Sequence, residues 1–314
     1  MSLWLLLALS AAFLWSCANM IDKTLLARSR VTPLVYVVLD AAIGVLPVIL
    51  ILAFVSIRGV GILELTFGLT AGVAFLGFSY LYATALSSFD VSSVVIVMQL
   101  ANVGLVLCGV VFFHEVYSES AVVGMLLITG ASMGAILLEQ GSPDTPNYSR
   151  HTGLRSAARF GAIMISAVIL LTLSMAMQKY VLRQIDYAMV YLLGRVGAIV
   201  GALVALTSRV GRAELGAFYY RLGQHPQRML VVGIPLEAFL NLAALLLVLL
   251  AYAHGPFGLV AVSASVQPVF VLVLLAFLSS RFVSMRPSST TLQSWLCRFG
   301  IVAALLAGAS LLQH

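Results

Sequence analysis

The stretch FDVSSVVIVMQ, residues 89–99, opens on Phe89 and Asp90, holds two serines and closes on a glutamine inside an otherwise apolar run. A relative of it recurs as FGLVAVSASVQP, residues 257–268. Setting Phe89 against Phe257 gives an offset of 168 positions (257 minus 89), at which Val94 meets Val262 and Gln99 meets Gln267. Ser263 and Ser265 supply the hydroxyls of the second copy, out of register with Ser92 and Ser93. Two more pairs keep the same order along the chain. VYVVLD (35–40) resembles VYLLGR (190–195) at an offset of 155 (190 minus 35). GAS at 130–132 returns at 308–310, an offset of 178 (308 minus 130), the longer loop RFVSMRPSSTT accounting for the extra residues. Three ordered matches at equivalent places point to a duplicated unit.

Composition decides what kind of unit. Hydrophobic residues fill 62% of 314 positions, charged residues only 9%, and the mean hydropathy is +1.10. A soluble domain carries about 25% charged residues, so this chain has too little polar surface to face water and reads as an integral membrane protein. Its net charge of +6 does not indicate nucleic acid, because basic residues in such a chain mark loops on the cytoplasmic side. Cys17, Cys108 and Cys297 fall in apolar segments without CxxC or metal spacing, which argues against a disulfide framework. No GxxxxGK[ST] is present, so no nucleotide site is expected, and with no metal spacing among the cysteines no cofactor is expected. The start, MSLWLLLALSAAFLWSCANM, lacks a basic leader and reads as a retained first helix.

A spanning helix needs about 20 apolar residues, and ten segments qualify: 3–21, 32–56, 62–86, 91–113, 119–138, 158–180, 187–207, 229–252, 257–279 and 293–312. The long uninterrupted runs exclude the two-residue alternation of a membrane β-barrel. The polar stretches 139–159 and 208–228 are the longest. The first divides the chain into a five-helix repeat over 1–140, a linker over 141–157 and a second repeat over 158–314. Five is odd, so the second copy enters the membrane from the opposite side. The expected fold is therefore all-α, with ten transmembrane helices built as two inverted five-helix repeats. Inverted repeats mark secondary transporters that hold substrate near the midplane. Gln99 and Gln267 then stand at membrane depth in equivalent helices, where an unsatisfied amide is costly, and a shared cavity would satisfy both. Interhelical hydrogen bonding is the plainer alternative.

At this point the chain resembles the drug/metabolite transporter superfamily, in its ten-helix EamA-like branch. FLWSCANMIDK carries Trp15, Ser16, Asn19 and Lys23 in the places of the Trp-(Gly/Ser)…Asn…Lys pattern. VVFFHEVYSESAVVGMLLITGASMGAILL puts Glu115, Gly124 and Gly130 at matching positions, and GPFGLVAVSASVQPVFVLVLLAFL matches through Pro268. Arg195 sits where members often carry an arginine. The chain departs from the pattern at Asp40, at Ala101–Asn102 and at Ser280–Arg281. The resemblance implies a secondary carrier of small metabolites, commonly an exporter, with a cavity lined by the first, third, fourth, sixth, eighth and ninth helices.

Ionisable residues inside spans are costly and mark function by default. Asp40 and Arg195 occupy equivalent positions with opposite charge, which suggests an ion pair across the repeat, with snorkelling the alternative. Glu237, a turn into the eighth segment, shares a face with Asn241 and follows Pro235, which disturbs the backbone. A titratable carboxylate there suits proton coupling or an amine. Asp22 and Lys23 read as interfacial. Trp15, Tyr80 and Tyr82 could stack a ligand or sit in an aromatic belt. The cavity candidates are thus Trp15, Asn19, Tyr80, Gln99, Asn102, Glu237, Asn241 and Gln267, with Glu237, Asp40 and Arg195 as coupling or charge-pair residues. The partners expected are a small-molecule substrate, the lipid bilayer and protons, and the location a plasma (bacterial inner) membrane crossed many times.

The competing class is an intramembrane lipid-modifying enzyme. It would need a nucleophile–base pair, yet the five histidines (114, 151, 225, 254 and 314) fall in loops, turns or the terminus, no GxSxG occurs, and His114–Glu115 is not part of HExxH. The carrier, which is not an enzyme, is the reading favoured. Lys and Arg divide twelve to three between odd- and even-numbered loops. The positive-inside rule then puts both termini outside, whereas the family habit keeps them in the cytoplasm.

Overall fold

The computed structural model describes residues 2–28, 31–54, 59–88, 94, 97–98, 100–140, 154–224 and 228–264, together with isolated positions between 266 and 311. Gln99, Pro268, the 141–153 linker and most of the tenth predicted segment lie outside the described residues. Every regular element described is a helix. They are α1 (Leu3–Arg28), α2 (Pro33–Ile43), α3 (Val45–Phe54), α4 (Ile62–Ser88), α5 (Leu100–Phe113), α6 (Glu119–Gln140), α7 (Leu154–Leu182), α8 (Tyr187–Thr207), α9 (Arg209–Gln224), α10 (Arg228–His254) and α11 (Phe257–Ala264). Five of them contain runs long and apolar enough to cross a bilayer: Leu3–Asp22, Ile62–Ser88, Ala158–Leu182, Tyr187–Thr207 and Val232–His254. The chain is an all-α membrane protein.

Local chemistry explains several boundaries. Thr32 caps α2, its hydroxyl accepting from the Val35 amide at 3.4 Å, and Pro33 at the first position needs no donor partner. The second predicted segment is two helices, divided at Gly44. Within the polar stretch 208–228, Arg209–Gln224 form α9, whose Leu215, Phe218 and Leu222 pack into a core with Val35, Val38 and Ile234. Arg209, Arg212 and Arg221 are exposed on this helix. Helix α5 closes with His114 at φ 53°, a left-handed turn, and the Glu115 amide returns to the Gly109 carbonyl at 3.0 Å. This left-handed ending aims the Glu115 side chain at the next helices.

Helices of the two halves pack on each other. α1 runs against α10, α4 against α7 and α8, and α5 against α7 and α11. The α1–α10 pair is antiparallel: Leu25 lies opposite Gly233, Trp15 opposite Asn241, and Trp4 against Gly255. The α4–α7 pair is antiparallel too, with Phe67 on Tyr180 at 5.2 Å, Ala71 bonded to Ser174, and Gly77 facing Leu170. Between α4 and α8 the backbones nearly touch. A Cβ on Gly72 would run into the backbone of Gly194 and Ala198, and one on Gly197 into that of Leu69. Close approach through small residues is how helices associate where lipid supplies no hydrophobic drive. The main core, from Ala8 and Ala11 through Phe75, Leu105, Tyr191 and Leu245 to Phe257, is shared by both halves.

Candidate functional site

The α1–α10 register dictates what meets at depth. With Leu25–Gly233 and Trp15–Asn241 as fixed points, Asp22 falls beside Glu237, and α2 brings Tyr36 and Asp40 up to them. The Tyr36 hydroxyl donates to Asp22 Oδ1 at 2.7 Å, and the Glu237 carboxyl lies near enough to Asp22, Asp40 and Arg195 to feel their charges. Arg195 of α8 stands 3.6 Å from Asp40 Oδ2, its guanidinium carbon 5.8 Å from the Phe75 ring centre and 5.7 Å from that of Tyr191. Glu237 is 1% exposed, Arg195 2%, Asp22 6% and Asp40 8%. At 1.5 Å per residue these groups lie about 9–18 Å from their helix ends at that side.

Three carboxyls therefore share one guanidinium in a buried pocket, and hydrogen bonds do not close the set. Asp40 Oδ1, Glu237 Oε2 and both Arg195 terminal nitrogens have no hydrogen-bond partner. A buried polar group is normally satisfied, and these four atoms find no partner among the described residues.

The sequence candidates fall as follows. Asp40 and Arg195 meet. Glu237 joins them, and Asp22, expected at the interface, is buried in the same pocket: α2 and α10 cover it. Trp15 Nε1 donates to Asn241 Oδ1 at 2.9 Å, about one turn from Glu237. The single Ser16 hydroxyl proton is shared between the Ala12 carbonyl at 2.7 Å and the backbone carbonyl of Gln267 at 2.9 Å, where the ninth segment has a turn at Val266. Asn19, Asn102 and Gln267 are half-buried on α1, on α5 and after that turn. Tyr80 is 41% exposed on α4. Gln99, the intended partner of Gln267, lies outside the described residues. The residue that sequence reasoning missed is Tyr36, whose signal was its place one turn before Asp40 on the same helical face.

A second polar group occupies the opposite end of the bundle. Glu115 accepts from the amides of Phe257 at 2.7 Å and Gly258 at 3.2 Å, and from the Tyr117 hydroxyl at 2.6 Å. A carboxylate at a helix N-terminus is favoured by the helix dipole. Burial pushes the Tyr117 phenol up, and its bond to Glu115 does so further, which keeps it a donor. Lys179 donates to the Tyr252 and Gly255 carbonyls at 2.6 and 3.2 Å, completing the C-terminus of α10. Arg183 donates to the Phe113 carbonyl at 3.2 Å and lies over the Phe113 ring at 4.7 Å. These contacts tie α5 and its turn to α7 and α11. No group of three or more metal-ligating side chains occurs among the described residues.

No family model and no curated protein matches the sequence. Among solved structures, a crystal structure of a protein at 15% identity superposes with a TM-score of 0.67, over 98% of this chain and 95% of its own. At that identity the likeness is one of fold, and it extends over nearly the whole of both chains.

Proposed function

We propose that the chain is a secondary transporter of small metabolites that works by alternating access, as an exporter coupled to protons, of the drug/metabolite transporter type. The observation that carries this reading is the buried pocket of Asp22, Asp40, Glu237 and Arg195, drawn from both halves of the chain and left with open valences. A static bundle would gain from replacing such a set by apolar side chains. A carrier needs it, because a proton or a charged substrate must be held at depth and released.

The pairing of helices supports two inverted repeats. If the first segment corresponds to the sixth and the third to the eighth, a twofold axis turns the α1–α10 contact into the α7–α4 contact. Both exist, both are antiparallel, and they are the two most extensive in the bundle. The same axis relates the contacts α1–α11 and α7–α5, and maps α5–α11 onto itself. Asp40 and Arg195 are equivalents under it, so their ion pair joins the repeats. Substrate then lies beside the pocket, near Trp15 and Asn241, with Glu237 carrying the coupling proton. Glu115 and Arg183 close the far end.

The test is accumulation from a labelled metabolite extract in proteoliposomes, with and without a proton gradient, for the wild type and Glu237→Gln. Gradient-driven accumulation is expected, and the variant should lose uphill transport while counterflow exchange survives. Uphill transport and pH dependence unchanged in the variant would return Glu237 to a structural role. Absence of any accumulated metabolite would remove the carrier reading. Comparing metabolites inside and outside deleted and overexpressing cells then names the substrate.

A further inference from the structure

We infer that α9 and the groove it covers bind an anionic phospholipid, with one acyl chain in the groove and the phosphate held by Arg209 and Arg212. The site does not depend on the carrier reading. The spanning run of α8 ends at Thr207 and that of α10 begins at Val232, so α9 stands where two spans meet the same water boundary. Glu214 anchors it to the start of α2, accepting from the Thr32 hydroxyl at 2.6 Å, and Phe218 is buried beneath it. An open groove of about 160 Å³ remains there, walled by Leu39 and Ile43 of α2, Tyr219 and Leu222 of α9, and Ile234 and Pro235 of α10. Apart from the Tyr219 hydroxyl these side chains are hydrocarbon. A dry space of about 150 Å³ lined by Leu, Ile and Phe takes one six-carbon hydrophobe, which sizes the groove for a stretch of one chain. Ile234 and Pro235 lie about 3–4.5 Å inside the apolar run of α10, and Ile43 about 15 Å from the start of α2. The groove therefore opens just under the boundary and follows α2 inward.

Charge marks the end at which the headgroup sits. Arg209, Arg212 and Arg221 are exposed, and among the described residues no carboxylate pairs with any of them. Arg28 ends α1 and Arg228 opens α10 at the same end of the bundle, where Leu25 lies opposite Gly233. At 3.6 residues per turn, Arg212 and Tyr219 fall in one file along α9, with Arg209 a turn before them. This file rims the groove. Arg221 lies on the other flank, its Nε donating back to the Ala217 carbonyl at 3.2 Å. Guanidinium groups match a phosphate in geometry as well as charge. Tyr219 and Tyr220, 55% and 72% exposed, suit the level at which headgroups meet chains. The loop that holds α9 is also on the side with the arginine excess, which the positive-inside rule assigns to the leaflet rich in anionic lipid. A soluble hydrophobe has no use for the arginines and a soluble anion none for the groove; a phospholipid uses both.

The test follows the melting temperature of the full chain, delipidated in a nonionic detergent, as lipid is titrated. Dioleoyl phosphatidylglycerol should raise it saturably. Dioleoyl phosphatidylcholine, with the same chains, should not, nor should glycerol 3-phosphate, a soluble stand-in for the headgroup. Losing one contacting arginine should weaken the apparent affinity about fivefold. Arg212→Gln should therefore weaken it, whereas Arg221→Gln, which deletes the same charge on the other flank, should not. Ile43→Phe, which fills the groove, should weaken it as well, and Leu222→Phe fills it from the α9 side if Ile43→Phe does not fold. If neither groove variant folds, the two arginine variants, both at exposed positions, decide. Equal shifts with the two lipids, a shift with glycerol 3-phosphate, equal losses in Arg212→Gln and Arg221→Gln, or full affinity with the groove filled overturns the site. None of these outcomes bears on Glu237 or on transport, so the carrier proposal stands or fails separately.

Discussion

Replacing Arg195 by methionine should damage the fold far more than replacing Asp40 by asparagine, although the two form one ion pair. Removing one partner of a buried pair costs about 3–5 kcal/mol, because the other charge is stranded. Here the stranding is unequal. Asp40→Asn keeps a side chain of the same size that can still accept a hydrogen bond, and it leaves Arg195 near the two remaining acids. Its cost should be that of one charge-assisted hydrogen bond, about 1.5–3 kcal/mol. Arg195→Met leaves three carboxyls with no cation. It also forfeits the contacts to Phe75 and Tyr191, worth about 0.5–1 kcal/mol each, so its cost should reach about 5 kcal/mol. The assay is the melting temperature in detergent, with size-exclusion profiles, across a pH series. Protons can substitute for the missing guanidinium, so the Arg195→Met deficit should shrink as the pH falls, while that of Asp40→Asn should not. Equal losses in the two variants, or an Arg195→Met deficit indifferent to pH, would refute the charge count.

Gly72→Leu should cost more than about 3 kcal/mol, beyond ordinary overpacking, because the added side chain meets backbone on α8. Gly161→Leu, with nothing within 4 Å of its Cβ direction, is the control, and the yield of monodisperse protein is the readout. Glu115→Ala leaves the Phe257 and Gly258 amides uncapped and should lower stability by about 1–2 kcal/mol, measured by thermal melting. A reporter active only in the cytoplasm, fused to the C-terminus, should be silent if the arginine bias of the odd-numbered loops sets orientation; an active fusion reverses the assignment.

Apolar runs made the helices legible, because hydropathy acts through composition and needs no knowledge of neighbours. The meeting of Asp40 with Arg195 was legible from the likeness of VYVVLD to VYLLGR, which set the two charges side by side for comparison. Asp22 does close the apolar run Leu3–Asp22, as expected of an interfacial residue, but its burial beside Tyr36 was not legible, because the covering helices are not known from position along one helix. The helix α9 was missed for its polarity, although Leu215, Phe218 and Leu222 carry a one-sided apolar spacing. The break after Gly44 left no sign in hydropathy, since Val45–Phe54 is as apolar as what precedes it.

Two glutamates show why burial alone does not mark a working residue. Glu115 stands in a motif shared with the resembled family. Yet its two oxygens accept from two amides and a phenol, all of them fixed donors, and its charge answers the dipole of α11. Glu237 has no such set of donors: among the described residues one of its oxygens lacks any partner, and the nearby Arg195 is paired with Asp40. That open oxygen, more than depth or exposure, separates Glu237 from Glu115, and it is what the proposed coupling role draws on.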